Sequence, residues 1–236
     1  IIADAATVHS ASTWALENTD WDLTAIYHDA IDHACHAFMK FRAPQLPNVP
    51  EDLFEIYKDA VDGMYRFHDM MLERTLKLVG PDTNVILISD HGFQSDHMRP
   101  LSLPKEPAGP AAEHRKHGVI CCFGPDFNEG LTIYGSSILD ITPTLLTLFG
   151  LPIGEDMDGT PLLQAFKSPP TVKTISRWEN VDGHFGEHSK TFEVSKEEAQ
   201  KAVKQLIELG YVEDLGDDMA KAMENTDIEL KYNLSK

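Results

Sequence analysis

Apolar positions along the chain follow two different rhythms. Between Glu51 and Val79, the residues Leu53, Ile56, Tyr57, Ala60, Val61, Met64, Tyr65, His68, Met71, Leu72, Leu76 and Val79 recur at i, i+3, i+4 and i+7. That spacing lines one face of a helix, so it predicts a single long helix packed on a sheet, with Gly80-Pro81-Asp82 ending it. Val85-Ile86-Leu87-Ile88 has no alternation and reads as a strand buried on both faces. Gly118 to Phe123, closed by Gly124-Pro125, repeats that pattern, as does the shorter run from Trp21 to Tyr27; a short strand is expected at Leu131 to Tyr134. Ala3 to Glu17 is helix-compatible and stops at Asn18-Thr19-Asp20. Asp140 reads as the N-cap of a helix running to Phe149, with Pro143 tolerated in its first turn.

Strands alternating with helices predict an α/β fold: a doubly wound, mostly parallel sheet flanked by helices. Enzyme sheets of this class hold about 5 to 6 strands, more than are legible here, so the sheet is expected to be incomplete. Residues 1–167 form the sheet-bearing part, 168–194 a linker or loop, and 195–236 a helical appendage that opens at Ser195-Lys196-Glu197-Glu198. Between Phe93 and His117 there is no periodicity and the prolines Pro100, Pro104, Pro107 and Pro110 interrupt the chain, the character of a functional loop.

Charge narrows the partners. Over 236 residues, 20 Lys and Arg stand against 38 Asp and Glu, a formal charge of -18. This argues against a nucleic-acid polymer or an anionic membrane surface, and leaves room for a small anionic substrate if cations supply the local positive field. Cys35, Cys121 and Cys122 do not form a disulfide framework, which favours a reducing, cytoplasmic compartment. No apolar run reaches the roughly 20 residues of a membrane span. Because the chain starts at Ile1 rather than Met, a signal segment upstream stays open.

The chemistry-bearing residues collect where apolar runs end. Asp32 and His36 stand at i and i+4, so on a helical turn both reach one cation. Asp90 and His91 follow the Val85 strand, and His114, with His117 as its alternative, precedes the Gly118 strand. Mixed carboxylate and imidazole ligation suits Zn²⁺, with Mn²⁺ or Fe²⁺ as competitors, and two such ions would serve phosphoryl or sulfuryl transfer. The bland reading of each pair is a hydrogen-bonded structural contact; their joint placement favours a metal site. Arg99 and His97 are candidates for binding a substrate phosphate, Arg99 as a bidentate clamp, against a loop stitched by its own hydrogen bonds. His28, Asp29 and His33 flank the ligands and would orient imidazoles. His68 reads as a core histidine, His184 and His188 as surface-loop residues, and Cys35 as a small packing residue.

In this order the motifs resemble the alkaline phosphatase superfamily, and most closely its type I phosphodiesterase/nucleotide pyrophosphatase branch. Asp32-His33-Ala34-Cys35-His36 resembles that family's Asp-x-x-x-His motif, and Ser89-Asp90-His91-Gly92-Phe93 its Ser-Asp-His-Gly motif. His114-Arg115-Lys116-His117-Gly118 through Gly124-Pro125 resembles the family's His-Arg-x-x-Gly strand, and Ile138 to Leu146 with Met157-Asp158-Gly159 its closing helix and turn. The resemblance implies that residues 1–167 are the C-terminal part of an alkaline phosphatase-like catalytic domain. It implies one metal held by Asp32, His36 and His114, a second held in part by Asp90 and His91, two divalent ions in all, and a small phosphate-ester substrate. In the family, a Thr or Ser nucleophile and a further Asp ligand come from a segment upstream of anything matching Ile1, so the chain is expected to be a fragment.

The function expected is therefore two-metal hydrolysis of phosphate esters, as a phosphodiesterase, nucleotide pyrophosphatase or phosphatase, in a longer parent. A sulfatase or a metal-dependent phosphomutase of the same superfamily stands beside it. A degenerate, non-catalytic domain is the reading from another class: Leu230-Lys231-Tyr232-Asn233-Leu234 resembles the opening of a tetratricopeptide repeat, and the C-terminal helices would dock a protein partner. On the fragment reading, this chain alone turns over a chromogenic phosphodiester negligibly. Robust turnover in a stopped colorimetric assay would contradict it.

Overall fold

The computed structural model describes residues 1–104 and 109–183, together with Ser195, Lys201 and Lys204. The expected helical appendage, the end of the linker, and His184 and His188 lie outside the described residues. The helices are α1 (Ile2–Asn18), α2 (Ala30–Phe38), α3 (Glu51–Tyr57), α4 (Ala60–Val79) and α5 (Ile141–Leu148). The strands are β1 (Val85–Ser89), β2 (Gly92–Phe93), β3 (His114–Arg115), β4 (Val119–Phe123), β5 (Ile153–Gly154) and β6 (Thr174–Ile175). Helix and strand are mixed, as in an α/β fold. The described residues divide into two compact units: Ile1–Leu78 with Phe93–Lys116, and Val79–Gly92 with residues 117–183.

The first unit is largely helical. Ala5 of α1, Ala30 and Ala34 of α2, and Met64 and Met71 of α4 form one buried cluster, so small residues on α1 and α2 let α4 approach closely. Cys35, Met39 and Val61 form a second cluster, against which Phe93 packs. The long helix expected from Glu51 to Val79 is two helices, broken at Lys58-Asp59. Its apolar rhythm continues across the break, which is why periodicity alone does not show it; Asp62 in the first turn of α4 suits a fresh helix N-terminus. That face packs mainly on α1 and α2, with Phe93 of β2 against the Val61 end. Trp21 to Tyr27 is not a strand: the stretch has no regular hydrogen-bonded structure, and Tyr27 is 80% exposed.

The second unit holds the longest strand pair. β1 and β4 run antiparallel in the register Val85↔Phe123 to Ser89↔Val119. The expected doubly wound parallel sheet is not seen among the described residues: each sheet is two-stranded, with β1–β4 antiparallel and the short β5–β6 pair parallel. An apolar run specifies burial, not direction, so β1 could not announce its partner's sense. Nor is β1 covered on both sides. Ile86, Ile120 and Cys122 share one face and pack on Phe127, Leu162, Ala165 and Phe166, whereas Leu87, Val119 and Phe123, on the other, are 47%, 56% and 58% exposed. Gly118 fits where it does because a Cβ there would lie 1.8 Å from the Ser89 carbonyl oxygen, so the chain needs glycine directly beside the end of β1.

Leu131 to Tyr134 is likewise irregular rather than a strand. Asp140 stands at the N-cap position of α5, but its side chain makes no cap hydrogen bond to that helix: the buried carboxylate instead accepts the backbone N–H of Ser137 at 2.8 Å and that of Thr160 at 2.7 Å. It thereby ties the helix start to the Met157-Asp158-Gly159 turn. Thr144 adds a buried link, donating to the Asp140 carbonyl at 2.6 Å and accepting from the Leu162 N–H at 2.8 Å.

One polar feature sits inside the helical unit. The rings of His28 and His68 meet edge to face with centroids 5.1 Å apart, and His9 of α1 is close enough to His28 to repel its charged form. His9 Nδ1, His28 Nδ1 and His68 Nε2 are buried without hydrogen-bond partners among the described residues. Burial first, then a neighbouring imidazole (His9 beside His28, His28 beside His68), lowers the pKa of both His28 and His68, and Asp29 opposes this. A histidine whose folded pKa lies below its unfolded value of about 6.5 contributes stability fully above that value and loses it as the pH falls toward the folded one. The melting temperature should therefore drop as the pH is lowered from about 7.5 to about 5, and His68→Phe, which keeps a ring and removes a proton site, should shallow that slope. An unchanged slope in calorimetry would contradict the assignment.

Candidate metal centre

α2 forms because Ala30-Ile31-Asp32-His33-Ala34-Cys35-His36-Ala37-Phe38 contains no glycine or proline and three good helix-forming alanines. Ala30, Ala34 and Cys35 are buried, which fixes the rotation of the helix. Asp32 and His36, four residues apart, then share another face, with the His36 Nε2 3.6 Å from the Asp32 Oδ1.

His114 comes to the same place on the short β2–β3 pair. The Gln94 N–H donates to the Glu113 carbonyl at 2.7 Å and its side-chain amide donates to the His114 carbonyl at 3.2 Å, so the Glu113-His114 backbone is held on both sides. His114 Nε2 lies 3.0 Å from His36 Nε2 and 3.7 Å from Asp32 Oδ1. Phe93 backs both imidazoles edge to face, its ring centroid 4.9 Å from each. On the far side of His36, Nδ1 lies 2.9 Å from Glu113 Oε2. A carboxylate only accepts, so Nδ1 carries the proton and Nε2 presents its lone pair toward His114 and Asp32.

Two imidazole nitrogens at 3.0 Å need a proton or a cation between them. The circle through the three atoms, whose separations are 3.0, 3.6 and 3.7 Å, has a radius of about 2.0 Å (the product of the sides over four times the triangle's area), the usual ligand distance of a small divalent ion. The donor set, two imidazoles and a carboxylate, fits the same ion chemically. The side chains are largely withdrawn from solvent, His36 being 7% and Glu113 14% exposed. Cys35, one residue from His36, stays out of this chemistry: burial first, and the nearby Asp32 next, push its thiol up to about 12.

Of the two histidines weighed in the Glu113–Gly118 stretch, His114 stands beside Asp32 and His36, and His117 is an exposed residue of the other unit. Asp90 and His91 end β1 in that other unit. There the Asp90 carboxylate accepts the His91 backbone N–H at 3.1 Å, and His91 Nε2 lies 3.8 Å from Asp90 Oδ1. Asp90 is 74% exposed. His33 pairs with Asp29 at 3.8 Å, and His28 turns instead to His68. Glu113, which meets His36 Nδ1, was not among the residues expected from the sequence, because it sits in a charged run whose partners spacing does not reveal.

Arg99 corrects the anion-clamp expectation. Arg99 as a residue is 5% exposed, and its guanidinium donates to the carbonyls of Asp96 (2.8 Å), Met39 (3.0 Å) and Lys40 (3.3 Å), and also to those of Arg42 and Pro44. It fastens the turn after α2 to the Ser95–Arg99 loop. His97 is exposed on that loop.

Asp32, His36 and His114 together form an acid-and-imidazole donor set of the kind that can hold a divalent cation. Residues 3–103 match the family model described as type I phosphodiesterase / nucleotide pyrophosphatase, so this part of the chain is similar to that family. The matched residues include Asp32, His36, Asp90 and His91, whereas His114 lies beyond them. The family consists generally of hydrolases acting on phosphate esters, usually with divalent metals. Comparison with curated proteins finds no match, and neither does comparison with solved structures. Among the described residues no helix is long and apolar enough to cross a membrane.

Because Arg99 is bound to backbone carbonyls, Arg99→Lys should act on stability. Leaving several buried carbonyls unpaired at about 1–3 kcal/mol each predicts a loss of at least about 3 kcal/mol in urea unfolding, with metal affinity changed less than about threefold. A stable variant with impaired ligand binding would reverse that assignment.

Proposed function

We propose that this chain carries the first metal site of a phosphodiesterase-type hydrolase, with Asp32, His36 and His114 holding a divalent cation, Zn²⁺ in preference to Mn²⁺. The observation that carries the reading is the triangle of ligand atoms, whose size suits a small ion and whose two imidazoles favour zinc. Asp90 and His91, at the end of β1, are assigned to a second ion on the strength of their motif. Bound there, such ions supply electrostatic stabilisation of the charge that develops on a phosphoryl group.

The residues themselves do the positioning. Packing of Ala30, Ala34 and Cys35 fixes the Asp32 and His36 face of α2, and Phe93 walls off the imidazoles from solvent on one side. The substrate is a small phosphate ester rather than a nucleic-acid polymer, consistent with a chain of net charge -18, in which the cations and not the protein surface attract the anion. A Thr or Ser nucleophile, as in the family resemblance, is not assigned to any residue of this chain.

Titration of the metal-stripped chain with Zn²⁺ in a calorimeter, against a competing chelator, tests the reading. Saturable binding is expected, and His36→Ala and His114→Ala should each weaken it by more than the 10- to 100-fold typical of losing an outer partner. Affinity unchanged by both substitutions would refute the site.

A further inference from the structure

We infer that Glu113 is a positioning residue of this site: by accepting the Nδ1–H of His36 it fixes the ring's tautomer and aim, so that Nε2 is presented to the cation. The inference rests on the metal reading above. Glu113 Oε2 lies 2.9 Å from His36 Nδ1, on the opposite side of the ring from the nitrogen that faces His114 and Asp32. Both partners are largely buried, at 14% and 7% exposure, so water competes weakly for the bond.

Three constraints leave the ring little freedom. Glu113 is adjacent to His114 in sequence, so the Gln94 hydrogen bonds that set the His114 backbone also set Glu113. The Phe93 ring stands edge to face against His36, its planes 79° apart, and blocks a tilt toward that side. A flip of the imidazole would place carbon, not nitrogen, against the carboxylate and against His114. The charge on Glu113 also adds electron density to the far nitrogen, which strengthens its bond to a cation. Two consecutive residues, at the start of β3 and just before it, thus supply a ligand, His114, and the group that orients the other ligand, His36.

The test measures Zn²⁺ affinity for wild type, E113A, E113D and E113Q by competition calorimetry, and reads the His36 tautomer from two-dimensional nitrogen-proton spectra of the ring. Glu113→Ala should lose 10- to 100-fold in affinity and mix the two tautomers. Glu113→Gln, whose amide oxygen accepts the same bond without charge, should recover most of that loss and keep the Nδ1–H form. Glu113→Asp, one methylene too short, should not recover it. Wild-type affinity in E113A, or failure of E113Q to improve on E113A, would overturn the inference, the second because it would mean that Glu113 ligates the ion directly. An absence of Zn²⁺ binding by the wild type would instead overturn the metal reading on which it rests. Spectra of E113Q, the most conservative variant, decide the matter if E113A is poorly folded.

Discussion

Two imidazole nitrogens facing each other at 3.0 Å, with a carboxylate oxygen beside both, set the terms for the helical unit. Nitrogens so close must share a proton or a cation, and the groups that hold these rings keep them at that spacing. Helix rotation is fixed by the alanines of α2, and the His114 backbone by Gln94. Phe93 fills the space behind both rings, and Glu113 grips one of them. Polar groups this close are costly to gather unless they share a ligand, whereas a small divalent ion converts the same spacing into bonds.

Around that centre the fold uses polar side chains to connect backbone. Arg99 collects carbonyls from the turn after α2, and Asp140 and Thr144 tie the start of α5 to the following turn in the second unit. Neither needs a ligand. The His28–His68 pair is a different kind of interior polarity, neutral because burial and a neighbouring histidine oppose its charging.

What could be read in the sequence follows from which rules are local. Asp32 and His36 were legible because helical spacing alone puts i and i+4 on one face. α1 was legible from its helix-compatible composition and Asp140 from its preference for a helix N-cap position, and the family resemblance, not spacing, pointed to His114. Strand direction was not, since the apolar run of β1 looks the same beside a parallel or an antiparallel partner. Trp21 to Tyr27 has strand composition, yet the stretch takes up no regular strand structure. Arg99 was misread because a sequence displays a cation and not the carbonyls it faces. Glu113 escaped notice because its partner is 77 residues away, in His36.

The most direct test of the central claim is X-ray absorption at the zinc edge of the chain loaded with one equivalent of Zn²⁺. Two imidazoles and an oxygen ligand at about 2.0 Å, with the outer-shell scattering that imidazole rings give, are predicted. In His114→Ala one imidazole should vanish from the shell. A shell of oxygen alone, or one unchanged by that substitution, would contradict the account.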